Sequence, residues 1–177
     1  MPVEHGTVRC LGVDPGIGRL GFGLVQETGN SLRPIDYGCI ETLPGEALEK
    51  RLFSIYNSLQ EAIDRLKPDI ISVERLFFGR NTTTAEAVWQ ARGVVLLLAA
   101  KNRLPLYQPK PAEVKMAVAG SGTATKTQVK RMVSEILRLQ VPPRPDDAAD
   151  ALAIALTGLC LYATESRMIS LEGRNPC

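Results

Sequence analysis

Histidine is almost absent from this sequence, and that scarcity narrows what the chain can do. The 177 residues contain one histidine, His5, near the amino terminus, so a His-based triad or a His-rich metal site has almost no material. Four cysteines are scattered without C-x-x-C spacing, which argues against a zinc site and against a disulfide scaffold. The chemistry is therefore left to carboxylates and lysines.

Long apolar stretches are also missing. The longest uninterrupted one, residues 93–100, has eight residues, well short of the roughly 20 that span a bilayer. The amino terminus shows no basic region followed by a hydrophobic one, so no secretory signal is visible. We expect a cytoplasmic protein with no membrane partner, built as a single domain over residues 1–165 and followed by a mobile tail over 166–177.

Basic residues are concentrated in one part of the chain. Although the net charge is only +2, residues 101–144 hold nine lysines and arginines against two glutamates, a local excess of +7. Such a block can be an ordinary solvated surface. Beside an acidic metal site it instead favours a polyanion whose backbone crosses that site.

Hydrophobic periodicity predicts alternating strands and helices. The predicted strands cover residues 8–14, 20–27, 34–42, 69–74 and 104–108. The predicted helices cover residues 48–66, 81 to about 102, 112–118, 126–139 and 146 to about 162. This order predicts an α/β fold with a five-stranded mixed sheet flanked by helices on both faces, in which the first and fourth strands are parallel neighbours.

Four carboxylates lie at the ends of elements that we expect to be buried. Asp14 and Glu74 each close an apolar strand, and Asp147 and Asp150 open an alanine-rich helix on one of its faces. Ionised carboxylates beside buried segments are costly unless they are paired or bind metal. Since the carboxyl ends of parallel neighbours meet at a switch point of the sheet, these side chains predict a site for divalent metal.

Each carboxylate also has a structural explanation. Asp14 begins a sequence, Asp-Pro-Gly, that forms a good turn on its own. Glu74 can pair with Arg75 or Arg80, and Asp147 can favour a helix amino terminus through the macrodipole. None of these explanations accounts for the occurrence of all four carboxylates together.

Two glycine-rich segments resemble nucleotide-binding motifs but lack the required context. Residues 16–21 match G-x-G-x-x-G, yet a helix must follow the glycines and residues 20–27 predict a strand. Residues 120–127 resemble a P-loop but have Thr125 where glycine should precede the lysine. We interpret this second segment as a flexible turn that delivers Lys126 to a phosphate.

The motifs together resemble the RuvC family of Holliday junction resolvases. The matching stretches contain Leu-Gly-Val-Asp14-Pro-Gly, Val-Glu74-Arg-Leu-Phe77, Gln90-Ala-Arg-Gly93, Val114-Lys115, Ala124-Thr-Lys126-Thr-Gln-Val and Asp147-Ala-Ala-Asp150-Ala-Leu-Ala-Ile-Ala. They cover essentially the whole predicted domain in order. The resemblance implies an RNase H-like fold, a homodimer that cuts two opposing strands of a four-way junction, and cooperation with the RuvAB branch-migration motor.

The resemblance also implies a role for particular residues. Asp14, Glu74, Asp147 and Asp150 correspond to the family's metal-binding carboxylates, and Lys115 and Lys126 to its lysines near the scissile phosphate. Phe77 corresponds to its stacking aromatic, although Phe77 can also be an ordinary core residue and Phe78 the exposed one. The expected DNA-binding set comprises Lys115, Lys126, Phe77, Arg80 and Lys130. Asp146, next to Asp147, leaves open which neighbour faces the metal.

The expected chemistry is phosphodiester hydrolysis that uses two Mg²⁺ ions, with Mn²⁺ as a substitute, and leaves 5′-phosphate and 3′-hydroxyl ends. Lys126 joins the four carboxylates in the expected catalytic set. Two other functions remain open at this point: a junction-binding scaffold that does not cut, and an RNA-processing nuclease of the same superfamily. An actin-like ATPase also begins with an Asp-x-Gly turn, but it needs two such lobes and this chain supplies one.

Overall fold

A mixed sheet of five strands forms the centre of the protein in the computed structural model, which describes residues 6–76 and 82–172. The strands are β1 (Val8–Asp14), β2 (Arg19–Thr28), β3 (Ser31–Glu41), β4 (Ile70–Val73) and β5 (Leu106–Tyr107). Their order across the sheet is β3-β2-β1-β4-β5. The first three strands form an antiparallel meander, while β4 is parallel to β1 and to β5. The predicted adjacency of the first and fourth strands is confirmed.

Helices cover both faces of the sheet, as the sequence predicts. They are α1 (Leu48–Leu66), α2 (Thr82–Lys101), α3 (Pro111–Ala119), α4 (Lys126–Ile136) and α5 (Asp146–Glu172). On one face, α1 and α2 pack against Leu11, Val13 and Ile71. On the other face, α3, α4 and α5 pack against Cys10, Val25 and Ile70. Neighbouring residues of β1 thus point to opposite cores, as the pleat of a strand requires.

Glycines let α5 lie close to the sheet. A Cβ atom placed on Gly12 of β1 would lie 2.1 Å from the carbonyl oxygen of Ala151, and one placed on Gly158 would lie 2.6 Å from the Cβ atom of Ser72. Real side chains do not approach backbone so closely, so these positions accept only glycine while the helix keeps its place. The close packing fixes the start of α5 over the end of β1.

The last helix is longer than the sequence analysis predicts. It continues beyond Tyr162 to Glu172, so residues 166–172, which the sequence analysis assigns to the tail, are helical. The Tyr107 hydroxyl group donates a hydrogen bond to Glu165 and the Tyr107 ring meets that of Tyr162 edge-on at 6.3 Å. These contacts hold the extra turns on β5.

Within residues 6–76 and 82–172, one helix is long and apolar enough to cross a membrane by length and composition alone. It is the Asp146–Leu171 part of α5, and 61% of its most apolar window is buried inside the protein. Ala151, Leu152 and Ala155 are fully buried against the sheet. These observations identify α5 as the central core helix of the fold.

Candidate active site

Asp14 and Glu74 lie side by side at one end of the sheet. Asp14 is the last residue of β1, and Glu74 directly follows the last residue of β4. The parallel register pairs Gly12 with Ser72 and residue 13 with residue 73, which places the two acidic residues next to each other. Since alternate residues share a face, both follow Gly12 and Ser72 onto the face covered by α5.

The first turn of α5 brings two more carboxylates to the same place. Gly21 pairs with Asp14 across the sheet, and a Cβ atom on Gly21 would lie 2.1 Å from the carbonyl oxygen of Asp147. The helix therefore begins directly over the end of β1. Asp147 and Asp150, three residues apart, both project from this first part of the helix.

The four carboxylates repel one another electrostatically. Burial and the charges of Asp150, Glu74 and Asp147, in that order, raise the pKa of Asp14 to about 7. Burial and Asp150 also raise the pKa of Glu74, and Lys115 lowers it by a smaller amount. A cation bound among these oxygens would relieve both effects.

Two lysines face the carboxylates across a pocket of about 310 Å³. The Lys126 Nζ atom lies 2.7 Å from the Asp150 Oδ2 atom, and this bond raises the pKa of Lys126. Lys126 is the first residue of α4, where Thr125 and Gln128 form a capping box that fixes the start of the helix. Lys115 reaches the pocket from α3. The structure thus brings both lysines to the pocket that Asp14 and Glu74 line.

Asp146 and Asp147 have different surroundings. Asp146 forms an ion pair with Lys130 and has an exposed side chain, whereas Asp147 contributes to the raised pKa of Asp14. The Arg19 Nε atom lies 3.5 Å from the Asp147 Oδ2 atom. Asp147 therefore belongs to the carboxylate cluster, and Asp146 lies outside it.

A second, wider cavity of about 670 Å³ adjoins the first one on its basic side. The two cavities share Lys126. The lining of the second cavity contains the two carboxylates of Asp146 and Asp147 and four cationic side chains, those of Arg19, Lys126, Lys130 and Arg144. Arg19 and Arg144 were not among the predicted site residues. A hairpin between β1 and β2 places the start of β2 beside Asp14, which indicates that Arg19 is near the site but not that it contacts Asp147.

The donor set of the site consists of oxygens, but the side chains are not arranged around one point. Within residues 6–76 and 82–172, no three His, Cys, Asp or Glu side chains lie close enough together to hold a metal ion as they stand. Asp150 is turned to Lys126 and Asp147 to Arg19. Carboxylate oxygens are the ligands that hard divalent cations prefer. The four carboxylates therefore fit such an ion once the two aspartates leave their basic partners and turn to the metal.

Some predicted residues lie outside the described parts of the chain. These are Phe77, Phe78 and Arg80, and the candidate helix cap Asn81 is another. The proposed pairing of Glu74 with Arg80 falls there too. Among the described residues, no ion pair joins Glu74 to Arg75.

The structure shows what surrounds each of the two glycine-rich segments. Residues 16–21 lead directly into β2, so no helix follows the G-x-G-x-x-G match. Gly120 has a positive φ of 71° at the end of α3, and the following residues carry the chain to Lys126 at the site. Neither segment forms a nucleotide site.

Comparison with known proteins assigns the family. The family model described as "Crossover junction endodeoxyribonuclease RuvC" matches residues 10–158, a range that contains all four carboxylates and both lysines. The enzyme of that name from Desulfitobacterium hafniense is 50% identical over 146 residues, which cover 82% of this chain and 88% of the relative. The one from Moorella thermoacetica is 48% identical over 164 residues, or 93% of this chain and 98% of the relative.

Comparison with solved structures indicates the same family. The structure described as "T. thermophilus RuvC in complex with Holliday junction substrate" superposes with a TM-score of 0.83 at 39% identity and covers 90% of this chain and 96% of that chain. The yeast mitochondrial Holliday junction resolvase Ydc2, at 16% identity and a TM-score of 0.60, shares the fold. The predicted RNase H-like architecture is confirmed. This chain belongs to the RuvC family of crossover junction endodeoxyribonucleases.

Proposed function

We propose that this chain resolves four-way DNA junctions by hydrolysing one phosphodiester bond in each of two opposing strands, as part of DNA recombination and repair in the cytoplasm. The observation that carries the proposal is the cluster of Asp14, Glu74, Asp147 and Asp150 beside two lysines. Burial and the charges of the other three carboxylates raise the pKa of Asp14. The family and the junction-bound relative from T. thermophilus support the substrate.

The four carboxylates are the proposed ligands of two Mg²⁺ ions, which Mn²⁺ can replace. Their oxygens match the preference of hard cations, and their repulsion gives the cluster a reason to bind positive charge. Bound metal would supply Lewis-acid activation of water and stabilisation of the departing 3′ oxygen. The expected products carry 5′-phosphate and 3′-hydroxyl ends.

Lys126 and Lys115 are the proposed contacts of the scissile phosphate. Both face the pocket that Asp14 and Glu74 line. Lys126 is held 2.7 Å from Asp150, so the ammonium group already lies at the carboxylate cluster and can offset the charge of a phosphate there. We include Lys126 in the catalytic set for this reason.

DNA beyond the scissile phosphate is proposed to follow the basic cavity. Lys130 and the neighbouring arginines surround it, and phosphate contacts of this kind hold a strand without reading its sequence. Phe77 and Arg80 remain proposed DNA contacts at the opened junction. Both lie in residues 77–81, which follow Glu74 closely in the chain and are outside the described residues.

A homodimer suits the two equivalent strands of a junction. The outward face of α2 presents Gly93, Leu97 and Ala100, and Leu97 is 59% exposed. We propose this small and apolar face as the subunit interface. Cooperation with the RuvAB motor is proposed from the family resemblance.

The test is cleavage of a labelled four-way junction beside a linear duplex and an RNA–DNA hybrid, with Mg²⁺ or EDTA, for the wild type and Asp14→Asn. Paired nicks on the junction that disappear with EDTA, and in the mutant while it still binds, support the proposal. Binding without any cut in Mg²⁺ or Mn²⁺ would instead indicate a scaffold. Cleavage of the hybrid would indicate an RNA-processing nuclease.

A further inference from the structure

Arg92 is a buried cation on the inner side of α2. The residue is only 7% exposed, and its guanidinium group donates two hydrogen bonds. Its Nε atom donates to the main-chain carbonyl oxygen of Glu74 at 3.3 Å, and its Nη2 atom donates to the Oε1 atom of Gln108. Within residues 6–76 and 82–172 it forms no ion pair with a carboxylate.

The burial of this group is costly. Burial, with a further contribution from Arg75, lowers the pKa of Arg92. The ring of Trp89 lies 5.8 Å from the guanidinium carbon and offsets part of the cost through a cation–π contact. A buried charge without an anionic partner needs its hydrogen bonds, so the two acceptors and the arginine hold one another in place.

The acceptors of Arg92 lie between two main-chain connections of the neighbouring strands. The ladder between β4 and β5 pairs Ser72 with Tyr107 and goes no further toward Glu74. Beyond it, the Arg75 N–H group donates to the Pro109 carbonyl oxygen at 2.8 Å. Between these two connections Arg92 adds a side-chain bridge that joins the main chain of Glu74 to the side chain of Gln108.

We infer that Arg92 is a positioning residue that holds the main chain at Glu74, so that the Glu74 carboxylate stays among the other acidic groups of the site. The inference rests on the proposed function. Asp150 repels the carboxylate, and a main chain that is free to shift would let Glu74 turn away. In this role Arg92 acts through the main chain of Glu74 and not as a ligand of DNA or metal.

Arg9 provides a matched control. It too donates to a glutamine side chain and to a main-chain carbonyl oxygen, through Nε to Gln26 at 2.9 Å and through Nη1 to Leu66 at 3.5 Å. It lies near the start of β1, whereas Asp14 ends that strand. Removing Arg9 therefore removes the same kind of contact far from the carboxylates.

The experiment compares full-length wild type, Arg92→Gln, Arg92→Lys and Arg9→Gln. Melting temperature, junction affinity in EDTA, Mn²⁺ affinity from the electron paramagnetic resonance signal of free Mn²⁺, and single-turnover cleavage are measured. For Arg92→Gln we expect Mn²⁺ affinity and cleavage rate to fall by about 10- to 100-fold, with junction affinity within about twofold of wild type. Arg92→Lys should recover part of both losses, and Arg9→Gln should change neither by more than about twofold.

Wild-type Mn²⁺ affinity and cleavage in a folded Arg92→Gln protein would overturn the inference, as would equal losses in Arg9→Gln. If Arg92→Gln does not fold, Gln108→Leu decides, because it removes the acceptor that orients the guanidinium group. It should lower Mn²⁺ affinity by at least about threefold, and unchanged affinity would overturn the inference. A wild type that binds Mn²⁺ but never cuts a junction counts against the proposed function and leaves the Arg92 comparison intact.

Discussion

Gly21 of β2 lies directly beneath the carbonyl oxygen of Asp147, the second residue of α5. A Cβ atom on Gly21 would lie 2.1 Å from that oxygen, and 3.1 Å from the Cβ atom of Asp147. Gly21 also pairs with Asp14 across the sheet. The distance between the carboxylates on the sheet and those on the helix therefore depends on the absence of a side chain at residue 21.

Gly21→Ala should push the start of α5 away from the sheet and separate Asp147 from Asp14. We expect cleavage to fall by about 100-fold, because a shift of about 1 Å at a catalytic site has that effect, and the melting temperature to fall as well. Gly38→Ala on β3 is the control, since its added Cβ atom would meet only the Phe22 ring, at 3.4 Å. Equal activity of the two variants in single-turnover assays would contradict this account of Gly21.

The raised pKa of Asp14 predicts how metal-free stability depends on pH. Below about pH 4 the carboxyl group is protonated in the folded and the unfolded chain, so it contributes no difference. Between there and its folded-state pKa of about 7, the unfolded chain ionises first and the free energy of unfolding falls. Above pH 7 this fall in the free energy of unfolding is complete, and it amounts to at most about 4 kcal/mol.

Asp14→Asn should remove much of this pH dependence. In EDTA at pH 8 we expect the variant to be as stable as the wild type or more stable, and this advantage should be smaller at pH 5. Thermal melts from pH 5 to pH 8 check this. A large drop in the melting temperature of Asp14→Asn at pH 8 would mean that the carboxylate holds the fold together instead of straining it.

Lys126 should matter for cleavage more than for binding. Lys126→Ala removes the ammonium group that lies 2.7 Å from Asp150, and we expect cleavage to fall by about 100-fold or more. Arg131→Ala removes one positive charge from the same helix, but Arg131 is exposed and paired with Glu135. Its cleavage rate should stay within a few-fold of wild type. Comparable rates for the two variants at saturating DNA would show that only the net charge of α4 counts.

Neighbouring aspartates at the start of α5 should differ in importance. Asp147→Asn removes a member of the carboxylate cluster, so cleavage should be almost abolished, whereas Asp146→Asn removes only the exposed partner of Lys130. We expect Asp146→Asn to cut nearly as fast as wild type, since exposed ion pairs contribute little. Single-turnover rates at several Mg²⁺ concentrations separate the two. The reverse order of sensitivity would exchange their proposed roles.

Much of the site could be predicted because its carboxylates stand at the ends of strongly patterned elements. The apolar sequence of β1 and the alanines of α5 fix where Asp14 and Asp150 point, and one crossover helix places β4 beside β1. The contact partner of a long cationic side chain is harder to predict from sequence. Arg19 reaches Asp147 and Arg92 reaches the carbonyl oxygen of Glu74 through contacts that exist only after the layers pack.

The end of α5 could not be predicted for a similar reason. After Tyr162 the sequence is mostly polar, and Met168, Ile169 and Leu171 are too few to give the apolar spacing that signals a helix. The extra turns are held from outside, by the contacts of Tyr107 with Glu165 and Tyr162. Contacts between residues about 55 positions apart leave no local pattern in the sequence.

The outward face of α2 should carry the proposed dimer contact. Leu97→Glu places a charge on the 59% exposed leucine at the centre of this face, and we expect the dimer to dissociate to monomers in light scattering. Leu171→Glu is the control, because Leu171 is 67% exposed near the end of α5. The Leu97 variant should keep its melting temperature while paired nicks on a junction give way to single ones. A fully dimeric Leu97→Glu protein would place the interface on another surface.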